Sequence, residues 1–287
     1  MKPIYMKSIL IPFDAESCFL NSLFLGIELA DKAHAKITIL AVVPQPQFMI
    51  VNPYSGAQVI INENIKDLSM KRVEEIEKFL IRKSVDCSDF EIKIEVGNMR
   101  EAIISSQLQN EYDLIIISDD NKSAIERAVS EINALKLMQA TKAAIITANS
   151  KQELSEIKRI VLPIRNIKSW SDKLPITASI AKLTGATVYI IGLTKMESEF
   201  DKKEIEEKIN LCKTFFLLQE IPISIQYDLN SEYFSKSIDE FATRIHANLI
   251  VVTPPENDSI YKTYFNTSLY NQLKTKTTIP IMGVKLS

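Results

Sequence analysis

The chain alternates short, almost continuous apolar runs with longer stretches whose apolar residues recur at helical spacing. The first half has such runs at Ser8 to Phe13, Ile37 to Val43, Glu91 to Val96, Leu114 to Ser118 and Ala143 to Thr147. The second half has them at Arg159 to Ile164, Thr187 to Leu193, Ile223 to Tyr227, Leu249 to Thr253 and Ile281 to Val284. Runs that are apolar on both sides belong to parallel strands buried on both faces. After the first run, Phe19, Leu20, Leu23, Phe24, Ile27 and Ala30 form a helical stripe. Further helices are predicted over Leu68 to Ile81, about Arg100 to Leu108 and about Ile125 to Met138. Strand and helix in alternation specify right-handed crossovers, hence an α/β fold with five parallel strands per half and helices on both faces.

The two halves are one text written twice. "KSILIPFDAESCFLNSLFLGIELADKAHAKITILAVV" from Lys7 aligns without a gap to "KRIVLPIRNIKSWSDKLPITASIAKLTGATVYIIGLT" from Lys158, matching Pro12 to Pro163, Ala30 to Ala181 and Ile39 to Ile190. "YDLIIISDD" from Tyr112 matches "ANLIVVTPP" from Ala247, and "AAIIT" from Ala143 matches "PIMGV" from Pro280. The expected division is a first domain over 1–150 and a second over 151–287, joined by the short polar tether Ala148 to Glu156. The fifth strand of each half is a terminal edge. Setting Ala143 to Thr147 beside Ile281 to Val284 would satisfy both edges in an intramolecular pseudo-dimer, with a homodimer of chains left open.

The halves differ in one length. The second and third runs are about 20 residues further apart in the first half, and the excess lies in the segment from Pro44 to Asn64. Its Pro, Gly and Asn residues predict a loop, yet Phe48, Met49, Ile50, Val51, Tyr54, Val59, Ile60 and Ile61 are apolar. Such a loop either folds down on its own domain or serves as a lid or a surface for a protein partner.

Composition narrows the classes. The chain is 46% hydrophobic with a net charge of −2, and no basic cluster runs along a helix, which argues against nucleic acid. No apolar stretch is long enough to span a membrane, and the opening residues run directly into a strand without a signal-peptide pattern, so the cytoplasm is expected. Cys18, Cys87 and Cys212 have no CxxC spacing and read as reduced, mostly buried thiols. His34 and His246 stand at helix ends without metal-ligand spacing, and the charges of Glu74, Glu75 and the run from Lys202 to Lys208 read as helix surfaces. Trp170 reads as packing in the first helix of the second half. No P-loop, GxGxxG or GxSxG pattern is present.

In a doubly wound sheet of order 3-2-1-4-5, ligands bind at the carboxyl ends of strands one and four, where the winding reverses. In the first half that crevice would be walled by Pro12, Phe13 and Asp14, by Ser118 and Asn121, and by Val42. Asp14 could accept hydrogen bonds from an adenine amine or a ribose hydroxyl, or cap the helix that starts near Ser17.

The segments "SILIPFDAES", "AKITILAVV", "YDLIIIS" and "AAIIT", in that order and repeated, resemble the universal stress protein family over nearly the whole chain. The resemblance implies tandem Rossmann-like domains of the adenine nucleotide alpha hydrolase type. It also implies, for one branch, ATP held by the aspartate after strand one and a G-x2-G-x9-G-[ST] loop after strand four. This chain departs from that loop. The three glycine positions fall at Ser118, Asn121 and Glu131, and near Thr253, Glu256 and Asn266 in the second half, where Arg165 also replaces the aspartate. Asp119 and Asp120 would repel a polyphosphate, each charge pair costing on the order of 2–3 kcal/mol at about 6 Å. Pro254 and Pro255 remove two N–H donors, and Glu256 and Asp258 add negative charge. Lys122 and Arg127 could offset part of the repulsion, leaving weak ATP or AMP binding in the first domain. The expected function is therefore a non-catalytic, stress-associated binding or regulatory protein without a resident cofactor. The alternative is an adenine-nucleotide-binding protein or nucleotide-dependent enzyme of a related α/β fold using the first crevice; it would need a Gly- and Ser-rich loop where the chain has "PFDAES" and "PIRNIK".

Overall fold

The computed structural model describes residues 5–13, 19–43, 50–52, 56–58, 62–82, 90–118, 133–149, 156–194, 199–228, 233–254 and 269–284. Its first half runs β1 (Ser8–Pro12), α1 (Phe19–Ala33), β2 (Lys36–Val43), β3 (Ile50–Asn52), β4 (Gly56–Gln58), α2 (Asn62–Arg82), β5 (Phe90–Val96), α3 (Met99–Asn110), β6 (Leu114–Ser118), α4 (Ala134–Ala140) and β7 (Ala144–Ala148). The second runs β8 (Arg159–Ile164), α5 (Leu174–Thr184), β9 (Thr187–Leu193), α6 (Glu199–Leu217), β10 (Ile223–Asp228), α7 (Phe234–Arg244), β11 (Leu249–Val252), α8 (Leu269–Lys274) and β12 (Ile281–Gly283).

Ten strands make one sheet in the order β10-β9-β8-β11-β12-β7-β6-β1-β2-β5, which is 3-2-1-4-5 within each half. Pairing inside each half is parallel. The halves meet in an antiparallel pair, with Ile145 opposite Gly283, Ile146 opposite Met282 and Thr147 opposite Ile281. The Thr147 hydroxyl donates to the Ile281 carbonyl across that seam at 3.1 Å. Each terminal strand thus covers the other's edge, while the outer edges β5 and β10 carry polar residues such as Glu91, Lys93 and Gln226.

Side chains alternate along each strand, so the sheet has two cores. Ile9, Ile11, Leu114, Ile116, Ile160, Leu162 and Val251 face α1, α2, α5 and α6. Leu10, Leu40, Ile115, Ile117, Val161 and Ile250 face α3, α4, α7 and α8. Among the described residues no helix is long and apolar enough to cross a membrane.

The repeat extends to helix ends. His34 (φ 52°) and Gly185 (φ 64°) occupy the same left-handed position after α1 and α5, as do Glu111 (φ 48°) and His246 (φ 50°) after α3 and α7. Both imidazoles therefore sit just past helix C-termini. Asp113 Oδ2 accepts from the Lys7 and Ser8 amides at 2.7 and 3.1 Å, and Asn248 Oδ1 accepts from the Lys158 and Arg159 amides, both at 2.9 Å.

Several expectations need correction. The segment from Pro44 to Asn64 is not all loop: β3 and β4 pair antiparallel within it, and α2 starts at Asn62 rather than Leu68. β-branched Ile50 and Val51 favour an extended strand. Trp170 lies in turns before α5, because Pro175 is tolerated only in the first turn of a helix and fixes the start at Leu174. Trp170 still packs, half-buried, against the core. Of the helix expected over Ile125 to Met138, only Asn133 onward lies within the described residues, with Asn133 capping α4. Cys212 is buried; Cys18 and Cys87 lie outside the described residues.

Candidate functional site

β1 and β6 lie side by side with Ile9 opposite Leu114, while α1 covers one face of the sheet and α4 the other. The winding reverses between them, which opens a crevice at their carboxyl ends. Pro12 and Ser118 stand there, both buried. Ser118 Oγ lies 3.0 Å from Ser22 Oγ of α1. Ser22 is a wall residue that the sequence reading missed, although it is a hydroxyl within an otherwise apolar helical stripe.

Phe13 and Val42, also expected at this crevice, turn to the cores instead. Phe13 donates its amide to the Leu40 carbonyl at 2.7 Å and turns its ring into the core under α1 and α2, edge-on to Phe19 at 4.8 Å and Phe79 at 6.1 Å. The Arg72 guanidinium lies 5.8 Å from that ring's centroid. Val42 is buried in the opposite core. Asp14 and Asn121 lie outside the described residues.

The second half builds the same crevice from different chemistry. Leu249 pairs with Ile160 and Ile250 with Val161, so continuing that register sets Thr253 level with Ile164 at the mouth. Arg165 follows, its guanidinium 5.6 Å from the Phe234 ring centroid. Burial lowers its pKa from the ordinary arginine value. Lys173, in the turn that leads into α5, is 3% exposed and donates to the Pro163 carbonyl. Burial, then the neighbouring Arg165 charge, push its amine down to about 7. Cys212 of α6 is close enough to feel Lys173, yet burial dominates and pushes the thiol up to about 12. Thr253 Oγ1 is buried without a hydrogen-bond partner among the described residues.

No hydrogen bond joins the Cys212 thiol to the Lys173 amine, and the described residues hold no group of three or more His, Cys, Asp or Glu that could bind a metal. Buried Lys173 and half-buried Arg165 here oppose an adenosine pocket that depends on a carboxylate. A separate cavity of about 360 Å³ lies at the opposite strand ends, where Gln107, Tyr112 and Thr141 face Ile176 and Val284.

A parallel five-stranded sheet with covered faces, repeated and joined through its fifth strands, defines the Rossmann-like α/β class. Among solved structures the chain is similar to a universal stress protein from Archaeoglobus fulgidus DSM 4304, at 15% identity and a TM-score of 0.69 over 97% of this chain and 96% of that one. It is also similar to a functionally unknown protein from Pseudomonas aeruginosa PAO1, at 12% identity and a TM-score of 0.60 over 97% and 92% of the two chains. The chain has the fold of a universal stress protein. No protein-family profile matches the sequence, and no curated protein matches it.

Proposed function

We propose that this chain is a non-catalytic, stress-associated binding or regulatory protein of the universal stress protein type. In this reading its two domains, 1–150 and 151–287, act as an intramolecular pseudo-dimer in the cytoplasm, and both ATP sites are degenerate. The observation that carries the reading is the second crevice, where Arg165 stands in place of the nucleotide-binding carboxylate with buried Lys173 beside it. The absence of glycine from residues 119–132 and 253–268 supports it, because backbone N–H groups close around phosphates most readily where glycine permits. The segment from Pro44 to Asn64 is the proposed surface for a protein partner.

The test is the nucleotide content of protein purified from cells, denatured and resolved by ion exchange with absorbance detection. No ATP is expected; ATP near one equivalent per chain would overturn the proposal. A residual adenosine site is favoured only in the first half, where Pro12, Ser22 and Ser118 converge and Asp14 follows β1. Asp14→Ala should abolish any adenosine signal there.

A further inference from the structure

In the first half Ser22 and Ser118 satisfy each other at 3.0 Å. The repeat puts Lys173 at the position of Ser22 and Thr253 at that of Ser118, and the exchange breaks the pair. Lys173 turns to the Pro163 carbonyl, and the Thr253 hydroxyl keeps no partner among the described residues. Thr253 follows β11 and continues the alternation of Leu249 and Val251, the face that α5 covers. Arg165 stacks over Phe234 and makes no ion pair among the described residues. The carboxylates of the adjoining helix α6 are engaged: Glu204 by Lys208 at 2.8 Å and by Asn166 at 2.6 Å, Asp201 by Asn166 at 3.1 Å. The start of α5 adds the partial positive charge of a helix N-terminus. Buried Lys173, half-buried Arg165, a helix N-terminus and an unsatisfied hydroxyl thus lie at one strand end with no countercharge among the described residues.

We propose that this crevice binds a compact tetrahedral oxyanion of the phosphate or sulfate kind, held by Arg165, Lys173 and the Thr253 hydroxyl. A dianion matches the two positive charges, and its several acceptor oxygens match the fork of Arg165, the ammonium of Lys173 and one hydroxyl. Pro254 follows Thr253 and has no N–H, so side chains rather than a backbone cradle must supply the donors. Binding carries a proton with it. The amine of Lys173 is held near 7 by burial and by Arg165, and the Cys212 thiol, near 12, stays neutral and offers no compensation. A bound dianion favours the ammonium form, so affinity falls as pH rises. This site goes beyond the reading above, and neither the ATP content nor Asp14→Ala bears on it.

The probe is sulfate, which does not titrate in this range, added to the full chain by calorimetry at about pH 6.5 and about pH 8.5 in buffers of different ionisation enthalpy. The expected result is one sulfate per chain, bound at least about tenfold more weakly at the higher pH, with proton uptake. Lys173→Met should lose both the binding and the uptake. Thr253→Val removes an unpartnered group with little change of shape, so it should keep the fold while weakening sulfate about tenfold. Inorganic phosphate should displace sulfate and adenosine should not; AMP displacing sulfate would identify a phosphate monoester as an acceptable source of the anion. Absence of saturable binding at millimolar sulfate, equal affinity in the wild type and both variants, or displacement by adenosine would each overturn the proposal.

Discussion

Lys173→Met should stabilise the protein at neutral pH, and the gain should vanish as the solution is made alkaline. The Lys173 amine is lowered from 10.5 to about 7, first by burial and then by Arg165, so between those values the unfolded chain binds a proton that the folded chain does not. Stability therefore rises with pH across that window; the full penalty is felt below about pH 7 and is gone above about 10.5. At 1.36 kcal/mol per unit, the shift corresponds to a penalty on the order of 4 kcal/mol at neutral pH. Methionine fills a similar volume without charge but abandons the Pro163 carbonyl, at a cost of about 1–3 kcal/mol for an unsatisfied buried acceptor. The variant should then be roughly 1–3 kcal/mol more stable at pH 7, losing about 1.4 kcal/mol of that advantage per pH unit and reversing toward pH 10. Urea unfolding of both proteins across this range, in buffers free of multivalent oxyanions, reads the difference. A difference that does not change with pH, or a variant less stable at pH 7 than at pH 9 relative to wild type, would refute the assignment of Lys173 as a buried, largely uncompensated amine.

Lysine at Ile146 or Met282, both fully buried in the antiparallel seam, should cost on the order of 3–5 kcal/mol and lower solubility, measured by denaturant titration and sedimentation. His34→Gly should stabilise by up to about 1 kcal/mol and Gly185→Ala should destabilise by about as much, since both positions require the left-handed region; thermal unfolding of the pair checks it. Deleting Gln47 to Ile60 with a short glycine linker should leave far-UV circular dichroism intact and change oligomeric state or ligand access, read by light scattering and sulfate or adenosine titration. Unfolding of the first half on that deletion would place the segment in its core.

The sheet was legible because its strands are buried on both faces: "LIIIS" and "LIVV" admit few readings other than parallel core strands, and the repeat supplied their order twice. That the two terminal strands lie side by side followed from asking where two short apolar edges could go; their antiparallel sense did not. The hairpin of β3 and β4 was less legible, because three-residue strands carry too little alternation to register against a background of Pro, Gly and Asn. The site was the least legible part. Phe13 follows β1 directly, yet its ring turns to the core, since aromatic partners at Phe19 and Phe79 wait on that face. Lys173 in "SDKLPI" reads as an exposed polar residue ahead of a helix; only its repeat partner Ser22, paired across the crevice with Ser118, marks the position as interior. A charge placed where the other copy needs a small hydroxyl was the available signal.

The most direct test of the whole account is calorimetric titration of the full chain with ATP in the presence of magnesium. The account predicts no saturable heat in the micromolar range, because Arg165 replaces the carboxylate that would hold the adenosine in the second crevice and neither strand-four segment offers a glycine to close around phosphate. A dissociation constant in the micromolar range or tighter would contradict it.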